Sequence, residues 1–510
     1  MAKVPDELQT QKPKITIHVN PEHKLASDKN IGTTSAKPIR TIQKGVNLAK
    51  SFIKKNLSVK LLVYPGLYRE HIQIVFKKFS TNALLTVEAK EPGKTIVRGS
   101  DVFKEWQKSK GSDVYVHSWL QQWGETPFPK RWPKRLDRDP LLKRREMVFV
   151  NGKPLRQVHS SQGLDRGTFF VSENERKISI VPHIGQLLST SLVEVAVRPK
   201  LLSVRGKTNI IVRGFVFEHA SSPLQNGAVS FLKVRNLLLE DCVFRWNNWA
   251  GYQLHQVENV TGRRNKGIYN GGAGIVGSNI KELLSEDEVT SYNNWRGAQA
   301  GFYFWAVGGA KYLHVHNAVF RRQQSMNNHA AGFWLDTDNE NIILENNTWC
   351  GNFKEGLVIE ASQGPILISH SKIYQNEWTG IHISGSKNST LTGNQIYNNT
   401  GAQIKIEGSK LRKGKNWETR TSFTVKGGNW KFENNIIRSE NLLLNADSQH
   451  FIATLKSTKN HWHSLNESGW FRVQKKVLDL NDWRNQFNSD ERLSLTDQSS
   501  FAKDCQYAQN

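Results

Sequence analysis

Asp336 and Glu360 close two short apolar runs of the same shape, Phe333-Trp334-Leu335-Asp336 and Leu357-Val358-Ile359-Glu360. Each run follows an asparagine and then a glycine: Asn328 before Gly332, and Asn352 before Gly356. A third copy, Asn376 before Gly380, leads into Ile381-His382-Ile383-Ser384. The glycines recur at about 24 residues, a spacing typical of stacked repeats. Side chains alternate along a strand. Phe333, Leu335, Leu357, Ile359, Ile381 and Ile383 therefore point one way. Trp334, Val358 and His382, followed by Asp336, Glu360 and Ser384, point the other. If each repeat is one coil, equivalent residues lie one inter-strand spacing apart, about 4.8 Å. Asp336 and Glu360 then become outward neighbours. Two carboxyls about 5–5.5 Å apart are the pair of a retaining glycosidase, one the nucleophile and one the acid/base; an inverting pair stands about 6.5–9.5 Å apart, with water between.

Stacked like charges repel and push one pKa up, which is how an acid stays protonated near neutral pH. The pair could also hold a cation or lie idle on a solvated surface. Asp338, two residues beyond Asp336, could orient the nucleophile or serve as the third acid of a calcium site. Gly251, Gly274 and Gly301 read as earlier copies of the pattern. They put His255, Ser278 and Trp305 ahead of Asp336 in its column, and Tyr303 ahead of Trp334. Trp305, Trp334 and Tyr303 could face a pyranose ring or pack against loops. Arg296, His329 just before the key strand, and His382 beside Glu360 complete the candidates, and Lys311 or Arg296 could be the base of a lyase. Asn328, Asn352 and Asn376 share a register and could bond one another and the backbone.

The element that would position these groups is a right-handed parallel β-helix, an all-β fold in which each coil needs only its neighbours. Residues 1–100 read as an N-terminal cap and first coils. They include a strand over 15–19 and an amphipathic helix from Thr41-Ile42 to about Lys55, with Ile42, Val46, Ala49 and Ile53 on one face. That helix would cover the open end of the solenoid. Residues 101–205 lose the period and read as an inserted β-sandwich-like domain, with Asn151-Gly152 as a hairpin signal. Residues 206–445 resume the solenoid, with an excursion at 409–428. Residues 446–510 form a C-terminal cap, with a strand at 451–455 and a helix at 480–487 opened by Asn481 or Asp482.

Composition narrows the partners. The 510 residues carry 70 Lys and Arg against 45 Asp and Glu, a net charge of +25. That balance suits nucleic acid, acidic glycans or an anionic surface. The basic run at 130–145 is broken by Pro and Asp and reads as an exposed loop; no nucleic-acid module pattern is present, so no such partner is expected. No run of about 20 apolar residues marks a membrane span. The opening MAKVPDELQTQKPK has no apolar core of a secretory signal, so a cytoplasmic location is expected. Three cysteines make no disulfide framework; Cys242 and Cys350 read as small core residues. The oligomeric state is not readable.

GFWLDTDN followed one coil later by GLVIEASQGP resembles the β-helical β-xylosidases among glycoside hydrolases, and a broader set of bacterial β-helix repeat proteins of the pectin lyase-like superfamily. KPIRTIQKGVNLAK, VYPGLYRE, GSDVFKEW, VFVNGKPLRQV, YNNWRG and GGAKYL resemble that broader set, so the likeness spans most of the chain. It implies that Asp336 is the nucleophile and Glu360 the acid/base. It also implies a β-sandwich-type insertion beside the helix. The expected activity is then retaining, exo-acting hydrolysis of short oligosaccharides such as β-xylosides, with no cofactor or metal. Two alternatives stay open: a lyase or epimerase on uronic-acid glycans, which would use calcium, and a non-catalytic glycan-binding β-helix.

Overall fold

The computed structural model describes residues 10–76, 82–121, 123–206, 209–464 and 470–487, together with 491, 492 and 505. Each regular coil holds three short strands. In the Asp336 coil they are Phe333–Leu335, Glu340–Glu345 and Thr348–Cys350; in the next, Leu357–Glu360, Ile366–Ser369 and Lys372–Tyr374. Each pairs in parallel with its equivalent one coil away. Phe333 faces Leu357, which faces Ile381; Leu335 faces Ile359, which faces Ile383. Those six side chains are buried. They belong to one apolar column that runs from Ile42 and Val46 of the N-terminal helix to Phe471 and Trp483 near the other end.

The asparagine-to-glycine spacing has a steric and polar cause. Asn247, Asn270, Asn293, Asn328, Asn352, Asn376 and Asn399 form a buried ladder. Each Nδ2 donates to the next Oδ1, at 2.9 Å for Asn328 to Asn352 and 2.8 Å for Asn376 to Asn399. The same oxygens accept the backbone N–H of the preceding asparagine, so a turn deep in the protein keeps its donors satisfied. A Cβ on Gly332 or Gly356 would sit 2.6 Å from a ladder amide nitrogen, which leaves room only for glycine. By that criterion Gly309, whose Cβ would meet Asn328 Nδ2 at 2.7 Å, is the equivalent residue. Gly301 instead lies in a loop. The short helix Trp295–Gln299 and the loop after it lengthen this coil.

The N-terminal helix, Ile42–Ile53, buries the four residues its periodicity selected, and Thr41 caps it. Strands between Ser100 and Ala196 form two sheets of four and five strands, with a core of their own around Val148, Phe169, Ile178 and Val195. Leu202–Arg205 already pairs with Ile72–Val75 and with Gly227–Leu232. The chain thus rejoins the helix earlier than the change of period suggested. Residues 449–454 form a helix, not the expected strand, with Ser448 as its cap; the adjacent apolar pair Phe451-Ile452 fits either period. Asp479, rather than Asn481 or Asp482, caps Leu480–Gln486, and Asp482 completes a reciprocal capping box. Cys242 is a buried free thiol, whereas Cys350 is bonded to Cys505. The 409–428 excursion contains a hairpin, Arg412–Lys415 with Ser422–Val425.

Candidate active site

Three long strands, Ala250–Arg263, Ala273–Glu286 and Gly308–Arg321, bend across two faces of the helix. Their register places Gln253, Val276, Lys311 and Trp334 in one outward row. The neighbouring row is His255, Ser278 and Leu313, then Asp336 and Glu360. These rows floor a cleft of 720 Å³. Its walls are loops: Arg131 and Trp132 from the basic run, Phe304 and Trp305 from the lengthened coil, and Arg412 from the hairpin.

Asp336 has a donor on each oxygen. Lys311 Nζ lies 2.9 Å from Oδ2. The Thr337 backbone N–H and hydroxyl donate to Oδ1 at 2.7 and 2.9 Å. Burial of the carboxyl favours its neutral form, but Lys311 and Thr337 outweigh it and hold the group below the usual carboxylate range. Lys311 is itself buried. Its ammonium sits 3.4 Å over the Trp334 ring, a cation–π contact, and donates to the Trp305 carbonyl. Glu360 is paired with Arg412, whose Nη2 donates to Oε1. Arg412 therefore covers one carboxylate oxygen of Glu360.

The other candidates separate. Trp305 and Trp334 line the cleft, but Trp305 does so from a loop. Leu313 holds the column position expected of Trp305, and Lys311 the one expected of Tyr303. Tyr303 packs against Phe353 instead, its ring tilted by 43° with ring centres 4.6 Å apart. Arg296 is 1% exposed and ties the inserted domain to the helix through Gln157, the Glu146 carbonyl and Asn248; it is no free base. His329 is exposed and outside the cleft lining. The ring nitrogens of His382 face Glu355 and Glu407 at 3.5 and 3.4 Å, rather than Glu360. Burial lowers the His382 pKa, but those two carboxylates outweigh it and raise it. Asp338 is fully buried and turned toward His314 and His316, so it does not join Asp336 and Glu360.

Sequence reading missed Arg131, Trp132 and Arg412 as cleft residues and did not give Lys311 its place beside Asp336. The basic run does not hang free. Trp132, Leu141 and Leu142 anchor it against Trp249 and Phe302, and those apolar residues were the available signal. Lys311 was hidden by the choice of Gly301 over Gly309. Nothing local marks Arg412, which meets Glu360 from 52 residues away.

A family model described as "Right handed beta helix region" matches residues 227–376 and 326–470. The chain is a right-handed parallel β-helix, pectin lyase-like in fold. The complex of XylC with xylose is similar over 91% of this chain and 86% of that one, with a TM-score of 0.70 and 16% identity. A structure titled "Glycoside hydrolase" matches over 94% and 99%, with a TM-score of 0.55 and 12% identity. The A-module of the Azotobacter vinelandii mannuronan C-5 epimerase AlgE4 matches over 94% and 100%, with a TM-score of 0.53 and 11% identity. No curated protein matches by sequence. Among the described residues, no helix is long and apolar enough to cross a membrane.

Proposed function

We propose that this β-helix is an enzyme acting on glycans, and that it hydrolyses glycosidic bonds with retention of configuration. One observation carries the reading. Asp336 and Glu360 directly follow Leu335 and Ile359, which pair on successive coils, and both line one aromatic-walled cleft. Asp336, held ionised by Lys311, attacks the anomeric carbon. The bond to the leaving oxygen breaks, and that oxygen takes a proton from Glu360. Glu360 then removes a proton from water, whose oxygen attacks the same carbon and releases Asp336. Arg412 must withdraw from Glu360 for the first step, which gives the hairpin a gating role. Trp305 and Phe304, both partly exposed, offer faces for a sugar ring, and the ring of Trp334 already carries Lys311. The reaction needs no cofactor. XylC, seen with xylose, supports a β-xyloside-like substrate. The Cys350–Cys505 bond favours an oxidising compartment over the cytoplasm.

A second reading rests on the charge of the cleft. Arg131, Lys311 and Arg412 all line it, as a uronic-acid lyase or epimerase would require to neutralise a substrate carboxylate. The fold hosts several chemistries and does not choose between them. The test is turnover of a panel of aryl glycosides, β-xyloside included, by wild type, Asp336→Ala and Glu360→Ala, with and without azide. Hydrolysis by wild type, abolished in Asp336→Ala and restored by azide, is the expected result. If no aryl glycoside is cleaved and uronic-acid polymers yield ultraviolet-absorbing unsaturated products, the second reading replaces the first.

A further inference from the structure

Two residues beyond Asp336 begins a second polar cluster that the hydrolytic site does not use. Tyr312 pairs with Leu335, and His316 with Glu340, so the Asp336 coil carries one more residue at this corner than the coil before it. The chain takes up the extra length at Asp338, which is left-handed at φ 63°. Its carboxyl folds back beneath the hairpin tip. Oδ2 is 3.0 Å from His314 Nδ1 and accepts the Trp417 backbone N–H at 3.0 Å. Oδ1 has no hydrogen-bond partner, although the residue is 0% exposed. His316, 5% exposed, shows the same asymmetry. Its Nδ1 is 2.6 Å from Glu418 Oε1. Its Nε2 has no hydrogen-bond partner and stands 3.5 Å from Asp338 Oδ2. One ligand atom each from His316, Asp338 and Glu340 lies within 4.8 Å of the others.

A buried carboxylate oxygen and a buried imidazole nitrogen without hydrogen-bond partners, on residues whose ligand atoms lie within 4.8 Å of one another, cost stability unless something fills the space between them. We propose that His316, Asp338 and Glu340 bind a divalent transition-metal ion of the zinc class. The donor set is one imidazole nitrogen and two carboxylates, which suits zinc better than the all-oxygen shell calcium prefers. Two carboxylates also offset the charge of the ion. The Glu418 carboxylate on Nδ1 is the outer partner that orients a metal-binding histidine and leaves Nε2 free to coordinate. Glu418 belongs to the hairpin tip, and Asn416 of the same tip donates to Glu340 Oε1 at 3.3 Å. The ion thus ties the hairpin tip to the coil, while the base of the hairpin places Arg412 on Glu360. This proposal stands whether or not the cleft hydrolyses glycosides.

The test uses the full chain, stripped with a chelator and desalted, then titrated with zinc, with cobalt as an optical probe, and with calcium. Wild type is expected to bind one zinc per chain, to show visible d–d bands with cobalt, and to melt at a higher temperature with zinc present. His316→Gln and Asp338→Asn abolish both the bands and the zinc-dependent rise. Glu418→Gln weakens binding about 10–100-fold. Circular dichroism checks that each variant is folded. If one is not, Glu340→Gln serves in its place. Absence of stoichiometric zinc or cobalt binding by wild type overturns the proposal. So does binding that the folded variants retain, or a preference for calcium over zinc.

Discussion

At Asp336 every carboxylate oxygen has a donor: Lys311 on one side, Thr337 on the other. At Asp338, two residues on, the donors crowd one oxygen and leave the second bare. Both acids come from one stretch of chain at one corner of the helix, Asp336 partly exposed and Asp338 fully buried. What differs is the company. Asp336 opens into a cleft and is paired with a cation that holds it as an anion without blocking the groove. Asp338 is closed beneath the hairpin tip, beside His316, whose Nε2 has no hydrogen-bond partner. A carboxylate already paired with an ammonium is prepared to react with a neutral substrate. A carboxylate with an orphaned oxygen beside an orphaned imidazole is prepared to coordinate. The same residue type, two residues apart, is thus set for two chemistries by which donors reach it.

The comparison is broken most sharply at Asp336. Asp336→Ala is expected to lower kcat/KM on an activated aryl glycoside by about 10⁴-fold or more, with azide restoring turnover. A loss near tenfold would remove Asp336 from the chemistry. Glu360→Ala should cost about 10²–10⁴-fold on glycosides with poor leaving groups, and far less on a dinitrophenyl glycoside, which needs no acid; steady-state rates across leaving groups check this. Lys311→Met tests the electrostatics. Asp336 must be ionised to attack, and Lys311 holds it below the usual carboxylate range against the opposing effect of burial. The acid limb of the wild-type kcat/KM profile should therefore lie below the usual carboxylate range. Without the ammonium, burial acts unopposed and the acid limb of the kcat/KM profile moves to higher pH. An unmoved limb would contradict that pairing. Arg412→Ala is the mildest change. It should alter kcat/KM on a neutral glycoside by less than about fivefold, as for a partly exposed ion pair, and weaken any uronate-bearing glycan by about tenfold or more.

Much of this was legible in the sequence because a solenoid repeats its local physics. Asn352 and Gly356 recur as Asn376 and Gly380 since the ladder amide and the missing Cβ must meet on every coil. That recurrence sets the faces of Phe333, Asp336 and Glu360. Legibility failed where a coil departs from the repeat. Gly301 fits the pattern by spacing, but the loop after Trp295 has no counterpart one coil away, so a register taken from Gly301 does not set Lys311 beside Asp336. Arg412 and Glu418 reach the corner from a hairpin outside the period, so no spacing announces them. Asp338 looked like a third acid for the cleft. The extra residue at its corner, visible only once Tyr312 and His316 are in register with Leu335 and Glu340, turns it the other way. The bond between Cys350 and Cys505 spans 155 residues and likewise leaves no local trace.

The stereochemistry of the first product tests the account most directly. Wild type would be mixed with an aryl β-glycoside that it cleaves, and the anomeric proton of the released sugar followed by magnetic resonance before mutarotation. Asp336 as nucleophile, one coil from Glu360, predicts that the β-anomer appears first. Initial release of the α-anomer would mean that water attacks directly, and that Asp336 is not the residue that forms the bond.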